Sequence, residues 1–195
     1  MSVVVVDTGV ANLHSVTSAL ERLAADYRVS ESFNVVAGAD RIILPGVGSA
    51  SAGMRSLHRT GLVELLQNYD RPILGICLGM QLMFESLGES GNAGLGVLEG
   101  QVNQLRVDGL PLPHMGWNTF ELLTDDPLLD GVESGEYVYF VHSYGADVAS
   151  HTVAASSYGN RFAAVVRDGN RMGCQFHPER SGAVGAKILQ NFLSL

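Results

Sequence analysis

The stretch that decides the fold is Arg71-Pro72-Ile73-Leu74-Gly75-Ile76-Cys77-Leu78-Gly79-Met80-Gln81. Its first half is a short apolar run, which is typical of a buried strand in a parallel sheet. The next residues recur at helical spacing, at Leu78, Gln81, Leu82 and Glu85. Cys77 is therefore predicted to lie where a strand turns sharply into a helix, with a glycine two residues away on either side.

A cysteine at such a turn matches the nucleophile-elbow pattern, with Cys in the place of Ser. Small flanking residues permit the sharp turn, and the turn lifts the side chain to the carboxyl edge of the sheet. Backbone N–H groups at the start of the following helix stabilise both a thiolate and an oxyanion. We therefore interpret Cys77 as a nucleophile. The alternative, which holds for most free cysteines, is a buried residue that behaves as a small apolar side chain.

The composition limits what kind of protein this is. The chain has 195 residues, of which 46% are hydrophobic and 16% charged, as expected for a globular protein with a full core. A formal net charge of −8 and the lack of a basic run argue against binding to nucleic acid. Two cysteines are too few for a disulfide framework, and no apolar run approaches the length of a membrane span. We expect a single cytoplasmic domain over residues 1–195, with neither nucleic acid nor membrane as a partner.

Strand and helix patterns alternate through the first half of the chain. Strands are predicted at residues 3–6, 28–30 with 34–37, 42–44 and 73–76, and helices at 12–22, 49–67 and after Cys77, with one break at Gly61. This alternation is the signature of an α/β fold with a parallel sheet. Binding sites in such folds gather at the carboxyl ends of the strands, where Asp7, the loop Pro45-Gly46-Val47-Gly48 and Cys77 all fall.

The second half of the chain has a different pattern. Short strands are predicted at residues 102–107, 137–141, 153–155, 162–166 and 171–176, followed by a closing helix at 183–193. Consecutive strands indicate an antiparallel portion. The sequence therefore predicts an α/β fold with one open, mixed but mostly parallel β-sheet flanked by helices, of the flavodoxin-like type.

A second chemical stretch is Gln175-Phe176-His177-Pro178-Glu179. A residue before proline favours extended backbone, and in extended backbone residues two apart point to the same side. His177 and Glu179 are therefore expected to project together, as a base and the carboxylate that orients it. With Cys77 they match a catalytic triad. The alternative is a strand end with a hydrogen-bonded histidine and a solvated glutamate.

The loop Pro45-Gly46-Val47-Gly48 is the third element of the predicted site. Its glycines allow the backbone to approach a substrate closely. An N–H group of this loop, together with the N–H of Leu78, could form an oxyanion hole. The alternative is an ordinary turn.

These three stretches resemble the triad-type (class I) glutamine amidotransferases, which hydrolyse the side-chain amide of glutamine through a thioester and pass the ammonia to a partner. Within that family, the chain resembles the glutaminase subunits of imidazole glycerol phosphate synthase, from histidine biosynthesis. The resemblance runs nearly end to end. The further motifs that carry it are Asp7-Thr8-Gly9-Val10-Ala11-Asn12-Leu13, His114-Met115-Gly116-Trp117-Asn118 and His142-Ser143-Tyr144. Thr8 and Ala11 depart from the family pattern, which usually has Tyr and Gly there.

The resemblance implies roles for individual residues. Cys77 would attack the amide carbon, His177 would carry the proton to the leaving ammonia, and Glu179 would orient His177. The oxyanion donors would be Val47 or Gly48 with Leu78. The ends of the glutamine molecule would be bound by Gln81, Glu89, Ser143 and Tyr144. The residues toward the partner, a cyclase (synthase) subunit with a (β/α)₈ barrel in a heterodimer, would be Asn12, Trp117, Arg180 and Lys187.

Other residues receive simpler interpretations. His114 and His142 are interpreted as local hydrogen-bonding residues, Cys174 as a core residue, and Trp117 alternatively as a core aromatic. No cluster has metal-ligand spacing, so we expect no metal, and no cofactor is implied. Two alternative functions stay open at this point. One is the glutaminase subunit of another amidotransferase, for anthranilate, pyridoxal phosphate or nucleotide synthesis; the other is a catalytically silent regulatory subunit.

Overall fold

The computed structural model describes residues 2–9, 11–89 and 91–195; Val10, quoted in the first motif, lies outside the described residues. Within these residues, eight strands form the main sheet. Their spatial order is β2 (Tyr27–Ser30), β1 (Val3–Val6), β3 (Arg41–Gly46), β4 (Ile73–Cys77), β14 (Arg171–Cys174), β13 (Asn160–Asp168), β12 (Thr152–Tyr158) and β9 (Glu121–Leu122). The first five run parallel, and the remaining three continue the sheet antiparallel. The predicted mixed, mostly parallel α/β sheet is confirmed.

Helices cover both faces of the parallel strands. The helices of the described residues are α1 (Leu13–Arg22), α2 (Phe33–Ala37), α3 (Ala50–Arg59), α4 (Leu62–Asn68), α5 (Leu78–Gln81) and α6 (Gly182–Ser194). Helices α1 and α6 pack with Val3 and Val5 on one face, whereas α3 and α4 pack with Val4 and Val6 on the other. Because both faces are buried, the strands read as continuous apolar runs. In the described part of the chain, no helix has the length and apolarity needed to span a membrane.

Two smaller sheets lie beside the main one in the described residues. One is an antiparallel pair, here called the ribbon, made of β8 (His114–Thr119) and β10 (Tyr137–His142). The other has the order β11 (Tyr144–Ala146), β7 (Leu98–Gln104), β5 (Phe84–Leu87) and β6 (Asn92–Ala93). Since β10 and β11 are separated only by Ser143, the two small sheets meet next to the carboxyl edge of β4.

The glycines on either side of Cys77 are required by close packing. A β-carbon on Gly75 would lie 2.6 Å from the α-carbon of Met80, and one on Gly79 would overlap the carbonyl oxygen of Leu44. Cys77 itself takes the unusual backbone conformation, with φ 53° and ψ −110°. The two glycines therefore let α5 sit directly on β3 and β4, while the cysteine makes the turn.

The helix that follows Cys77 is shorter than the periodicity predicted. It ends at Gln81, and Glu85 lies in strand β5 instead of on a helical face. The chain returning through residues 95–98 donates backbone hydrogen bonds to the carbonyl oxygens of Leu82 and Met83. These tertiary hydrogen bonds replace the ones that a longer helix would need.

The strand predicted at residues 34–37 is wrong, because this segment is helix α2. Its backbone N–H groups bond locally, as from Val36 to the Ser32 carbonyl at 3.0 Å. Two smaller shifts affect the later strands, since 102–107 and 171–176 become Leu98–Gln104 and Arg171–Cys174. The predicted break at Gly61 is confirmed: this residue lies between α3 and α4 and has φ 71°.

The elbow packing predicts the effect of one added methyl group. We expect Gly79→Ala to lower the free energy of unfolding by about 3 kcal/mol, because the new β-carbon meets rigid backbone. Gly38→Ala is the matched control, since its β-carbon would lie 3.4 Å from the nearest atom at an ordinary φ of −83°. Urea unfolding of both variants measures the difference. Equal midpoints would contradict the packing argument.

Candidate active site

The carboxyl ends of three neighbouring strands bring the predicted chemical residues together. Gly46 at the end of β3 pairs with Cys77 at the end of β4, and Cys174 of β14 pairs with Ile76. The segment from Gln175 to Glu179 follows β14 directly. Thus the Pro45–Gly48 loop, the thiol and the His-Pro-Glu stretch occupy one sheet edge, as expected for an α/β fold.

Cys77 is buried in a strained turn. Its positive φ is rarely adopted by a residue with a side chain, and such strain persists where the surrounding structure fixes it, often at active sites. The sulfur donates to the carbonyl oxygen of Val141 at 3.8 Å and accepts from Nε2 of Gln175 at the same distance. The thiol is therefore held by polar groups and is not packed as a simple apolar side chain.

His177 and Glu179 project together, as the sequence predicted. Nδ1 of His177 lies 2.8 Å from Oε1 of Glu179, and both side chains are buried. Nε2 of His177 has no hydrogen-bond partner among residues 2–9, 11–89 and 91–195. Burial of the ring lowers its pKa, but the neighbouring Cys77 sulfur and the Glu179 carboxylate outweigh burial and raise the pKa of His177 to about 10. The ring is therefore suited to take up the proton of the Cys77 thiol and to hold it as an imidazolium.

The His-Pro-Glu segment is fastened to the ribbon. The N–H of His177 donates to the Tyr139 carbonyl at 2.9 Å, and the N–H of Tyr139 donates to Oγ of Ser181 at 3.0 Å. The Ser181 hydroxyl in turn donates to the carbonyl of His177 at 2.7 Å. The backbone of the candidate base thus depends on strand β10 for its position.

A cavity of about 370 Å³ opens in front of the sulfur. It is lined by Val47, Gly48, Cys77, Leu78, Gln81, Glu89, Pro113, Val141, His142, Ser143 and Tyr144. The three residues expected to donate to an oxyanion and the four expected to bind glutamine all line this cavity. A larger groove of about 640 Å³ lies elsewhere, between residues 122–132 and the end of α6, and no predicted site residue lines it in the described part of the chain.

Two of the lining residues are already fixed by hydrogen bonds. Nε2 of Gln81 donates to the Tyr144 carbonyl at 2.8 Å and to Oε1 of Gln175 at 3.0 Å. Oε2 of Glu89 accepts from the N–H of Ala50, at the start of α3, at 2.7 Å. Gly48, on the opposite wall, has φ 85°, a conformation that favours glycine. The cavity walls are therefore largely preformed.

His114 and His142 form a buried pair at the cavity wall, where His142 is one of the lining residues. Nδ1 of His114 lies 3.0 Å from Nε2 of His142, and Nδ1 of His142 lies 2.8 Å from the Tyr144 carbonyl oxygen. Burial lowers the pKa of His114 to about 4 and that of His142 to about 3. Both rings are therefore neutral at pH 7, and their interpretation as local hydrogen-bonding residues is confirmed.

Trp117 lies in strand β8 and not in a loop, and 56% of it is exposed, which excludes a core role. Its ring contacts that of Tyr139 at 6.0 Å between centroids, and the Arg180 guanidinium lies 4.9 Å from the Tyr139 centroid. Asn12 caps helix α1, while the Lys187 side chain passes close to Gly131. The structure thus brings Trp117 and Arg180 together, places Asn12 in a small cavity beside His177 and Glu179, and leaves Lys187 near Gly131.

The sequence prediction missed several residues of the ribbon face and of the surroundings of the thiol. Met115 and Tyr137 are 63% and 61% exposed on the same ribbon face as Trp117. The signal was present in the positions of Met115 and Trp117, which share a face if the segment is a strand. Gln175 was missed as a contact of the thiol, although it stands two residues before His177 in extended backbone. Cys174, by contrast, is confirmed as core, and burial raises the pKa of its thiol.

Comparison with known proteins identifies the family. The family model described as glutamine amidotransferase class-I matches residues 4–195. The chain belongs to the class-I glutamine amidotransferase family. Imidazole glycerol phosphate synthase subunit HisH 1 of Vibrio vulnificus (strain YJ016) is 48% identical to it over 199 residues, covering 99% of this chain and 98% of the relative. Subunit HisH of Idiomarina loihiensis is 49% identical over 195 residues, covering 100% and 98%.

Solved structures of this amidotransferase fold agree with the architecture. A glutamine amidotransferase from Thermotoga maritima superposes with a TM-score of 0.71 at 15% identity, covering 100% of this chain and 96% of the other. A chain of PurLQS, also from Thermotoga maritima, gives 0.72 at 20% identity, covering 99% and 97%. The shared fold is thus the class I amidotransferase fold, with a mixed sheet flanked by helices.

The buried histidine pair predicts how stability depends on pH. Because the pKa values of His114 and His142 are lower in the folded chain than in the unfolded one, the unfolded chain binds more protons below pH 6.5. Stability is therefore full above about pH 6.5 and falls as the pH drops toward 4, by about 1.4 kcal/mol per pH unit for each histidine.

Urea unfolding between pH 6.5 and 4.5 checks this dependence. We expect His142→Phe to reduce the slope of unfolding free energy against pH by the equivalent of about one bound proton. Titrating carboxyl groups contribute equally to wild type and variant. His58→Gln, which removes an exposed histidine from α3, is the matched control. Parallel curves for wild type and His142→Phe would contradict the assignment of neutral rings.

Proposed function

We propose that this chain is the glutaminase subunit of an imidazole glycerol phosphate synthase. It hydrolyses glutamine to glutamate and ammonia and delivers the ammonia to a cyclase subunit. The observation that carries the proposal is the near-half identity, over the whole length of both chains, to subunits that bear this name. The cavity in front of Cys77 supports it, because a buried thiol and several polar side chains line one pocket at the expected sheet edge.

The first chemical step is attack of the Cys77 sulfur on the amide carbon of glutamine, while the thiol proton passes to Nε2 of His177. A carbon–sulfur bond forms, the amide oxygen takes up negative charge, and collapse of this intermediate expels ammonia. Nε2 of His177 supplies the proton that the leaving nitrogen needs. This assignment follows because Nδ1 is occupied by Glu179, and because the raised pKa of the ring keeps it protonated.

The second step hydrolyses the resulting thioester. A water molecule gives a proton to the now neutral Nε2 of His177, attacks the thioester carbon and releases glutamate, which regenerates the thiol. Glu179 keeps the ring in one tautomer and orientation throughout. Backbone N–H groups of Leu78 and of Val47 or Gly48 stabilise the oxyanion in both steps, each contributing about 3 kcal/mol.

The far end of the cavity binds the amino-acid end of the substrate. Glu89 is acidic and suits the α-amino group, while Ser143 and Tyr144 offer hydrogen-bond donors for the α-carboxylate. Gln81 completes this wall from helix α5. Cys77 and these groups line one cavity. When they bind the amino-acid end of glutamine, its side chain extends along the cavity and brings the amide to the sulfur.

The outer face of the ribbon is the proposed contact with the cyclase subunit, a (β/α)₈ barrel in a heterodimer. Cross-strand pairing puts Met115, Trp117, Tyr137 and Tyr139 on this face, and Arg180 packs against it. Exposed aromatic and Met side chains with a neighbouring Arg have the composition of interface centres. In the full reaction, the cyclase uses the ammonia to form imidazole glycerol phosphate and aminoimidazole carboxamide ribotide. Asn12, which lines a small cavity with His177 and Glu179, and Lys187 remain predicted partner contacts.

Removal of the thiol tests the chemistry. We expect Cys77→Ala, assayed with the cyclase subunit and its nucleotide ligand, to lose glutamate formation to background while still binding the partner, because only the nucleophile is removed. Cys174→Ala, which removes the other thiol from the core, is expected to keep glutaminase activity. Glutamate is measured by a coupled assay and binding by calorimetry. Retained activity in Cys77→Ala would contradict the thioester mechanism.

Truncation of the ribbon tryptophan tests the docking face. We expect Trp117→Ala to weaken binding to the cyclase subunit about 30-fold, the effect of losing a central aromatic, with no change in thermal stability. Phe33→Ala is the matched control, since Phe33 is 48% exposed on α2, whose buried Val36 packs on the opposite face of the main sheet. Titration calorimetry measures both. Equal affinities for the two variants would place the interface elsewhere.

A further inference from the structure

A chain of hydrogen bonds, with two buried histidines at its centre, runs from the ribbon to the proposed glutamine pocket. Nδ2 of Asn118 lies 3.3 Å from Nε2 of His114, whose Nδ1 lies 3.0 Å from Nε2 of His142. Nδ1 of His142 reaches the carbonyl oxygen of Tyr144 at 2.8 Å. The chain therefore connects the strand that carries Trp117 with a residue that lines the cavity.

The chemistry of its end groups gives this chain a single direction. The Tyr144 carbonyl can only accept, so Nδ1 of His142 carries a hydrogen, and in the neutral ring Nε2 is then an acceptor. Nδ1 of His114 must donate to it, which leaves the other nitrogen of His114 to accept from the amide of Asn118. That amide also donates to the Ser157 carbonyl at 3.0 Å, which fixes its orientation.

The two rings are held rigidly by aromatic neighbours. His114 is stacked between Phe140, at 4.8 Å between centroids, and Tyr158, at 4.1 Å. His142 packs edge-on against Phe162 at 4.9 Å. Both rings are at most 5% exposed, so water does not replace a missing partner. Loss of one donor would leave a buried acceptor unsatisfied, and the ring would turn or change tautomer.

The chain continues beyond Tyr144 toward the nucleophile. The Tyr144 carbonyl accepts a second hydrogen bond from Gln81, which also donates to Gln175, and Gln175 contacts the sulfur of Cys77. Two donors thus converge on one carbonyl oxygen, His142 from the end of strand β10 and Gln81 from helix α5. This carbonyl belongs to the peptide that follows Tyr144. Together with the hydrogen bond from the Leu105 N–H to the Ser143 carbonyl, it fixes where Ser143 and Tyr144 point.

We propose that His142, held in one tautomer by His114, is a positioning residue that fixes the Ser143–Tyr144 backbone for the amino-acid end of glutamine. The proposal rests on the glutaminase function proposed above. It extends the site to a pair of residues that do not touch the reacting atoms. A pair that merely fills the core would affect stability, but it would not change the affinity for glutamine selectively.

Paired amide substitutions separate these two roles. The side-chain amide of Asn mimics Nδ1 of histidine, and that of Gln mimics Nε2. His142→Asn therefore keeps the donor to Tyr144, whereas His142→Gln loses it. With the cyclase subunit and its ligand present, we expect His142→Gln to raise KM for glutamine about tenfold with kcat changed less than threefold. We expect His142→Asn to stay within about threefold of wild type in KM.

The same Asn and Gln substitutions at His114 test the hydrogen-bond chain itself. His114→Asn keeps the donor to His142 and is expected to resemble wild type, while His114→Gln is expected to raise KM about fivefold. This second pair also decides the question if His142→Gln does not fold. Phe162→Leu is the control for packing, because it loosens the contact with His142 without removing a hydrogen bond. Thermal midpoints are measured for all five variants.

The outcomes distinguish this proposal from the function on which it rests. Equal KM values within each Asn/Gln pair, or KM changes that follow the thermal midpoint as they do in Phe162→Leu, would overturn the positioning role alone. A wild-type complex that releases no glutamate would overturn the proposed function and this role with it. A higher KM confined to the Gln variants, at matched stability, would establish the role.

Discussion

The contact between the Gly79 backbone and the Leu44 carbonyl is the constraint on which the rest of the site depends. It seats helix α5 directly on strand β3, with no side chain between them. Only with this spacing does Cys77 reach the sheet edge beside the Pro45–Gly48 loop, and only then can the N–H groups of Leu78 and the loop face one cavity. A single missing methyl group thus sets how close Cys77 and Leu78 lie to the Pro45–Gly48 loop.

The polar groups around the nucleophile form two systems that differ in charge. On one side, His177 and Glu179 are buried as a charged pair that holds a proton close to the sulfur. On the other side, His114 and His142 are buried as neutral rings that carry only hydrogen bonds. The same side chain, placed near or far from a carboxylate, therefore favours the charged form in one position and stays neutral in the other, which fits the two roles proposed for these rings.

The sequence predicted what is local and missed what depends on neighbours. Two features can be recognised from the local sequence alone. They are the apolar runs of β1, β3 and β4 and the i, i+2 spacing of His177 and Glu179. Segment 34–37 was misread because a Val-Val pair suits a strand as well as a short helix, and tertiary contacts decide between them. The His114–His142 bond joins residues 28 positions apart, and its existence depends on the register of β8 against β10. The exposure of Trp117 likewise required knowing which ribbon face is covered.

The positive φ of Cys77 also bears on how such a chain would evolve. Backbone strain at this position costs on the order of 1–3 kcal/mol, and it is tolerated because a sharp turn presents the sulfur. A descendant released from catalysis would gain stability by accepting glycine at position 77, where no β-carbon opposes the turn. Selection on stability alone would therefore favour the loss of Cys77, so the strain at this position supports the catalytic role proposed for it.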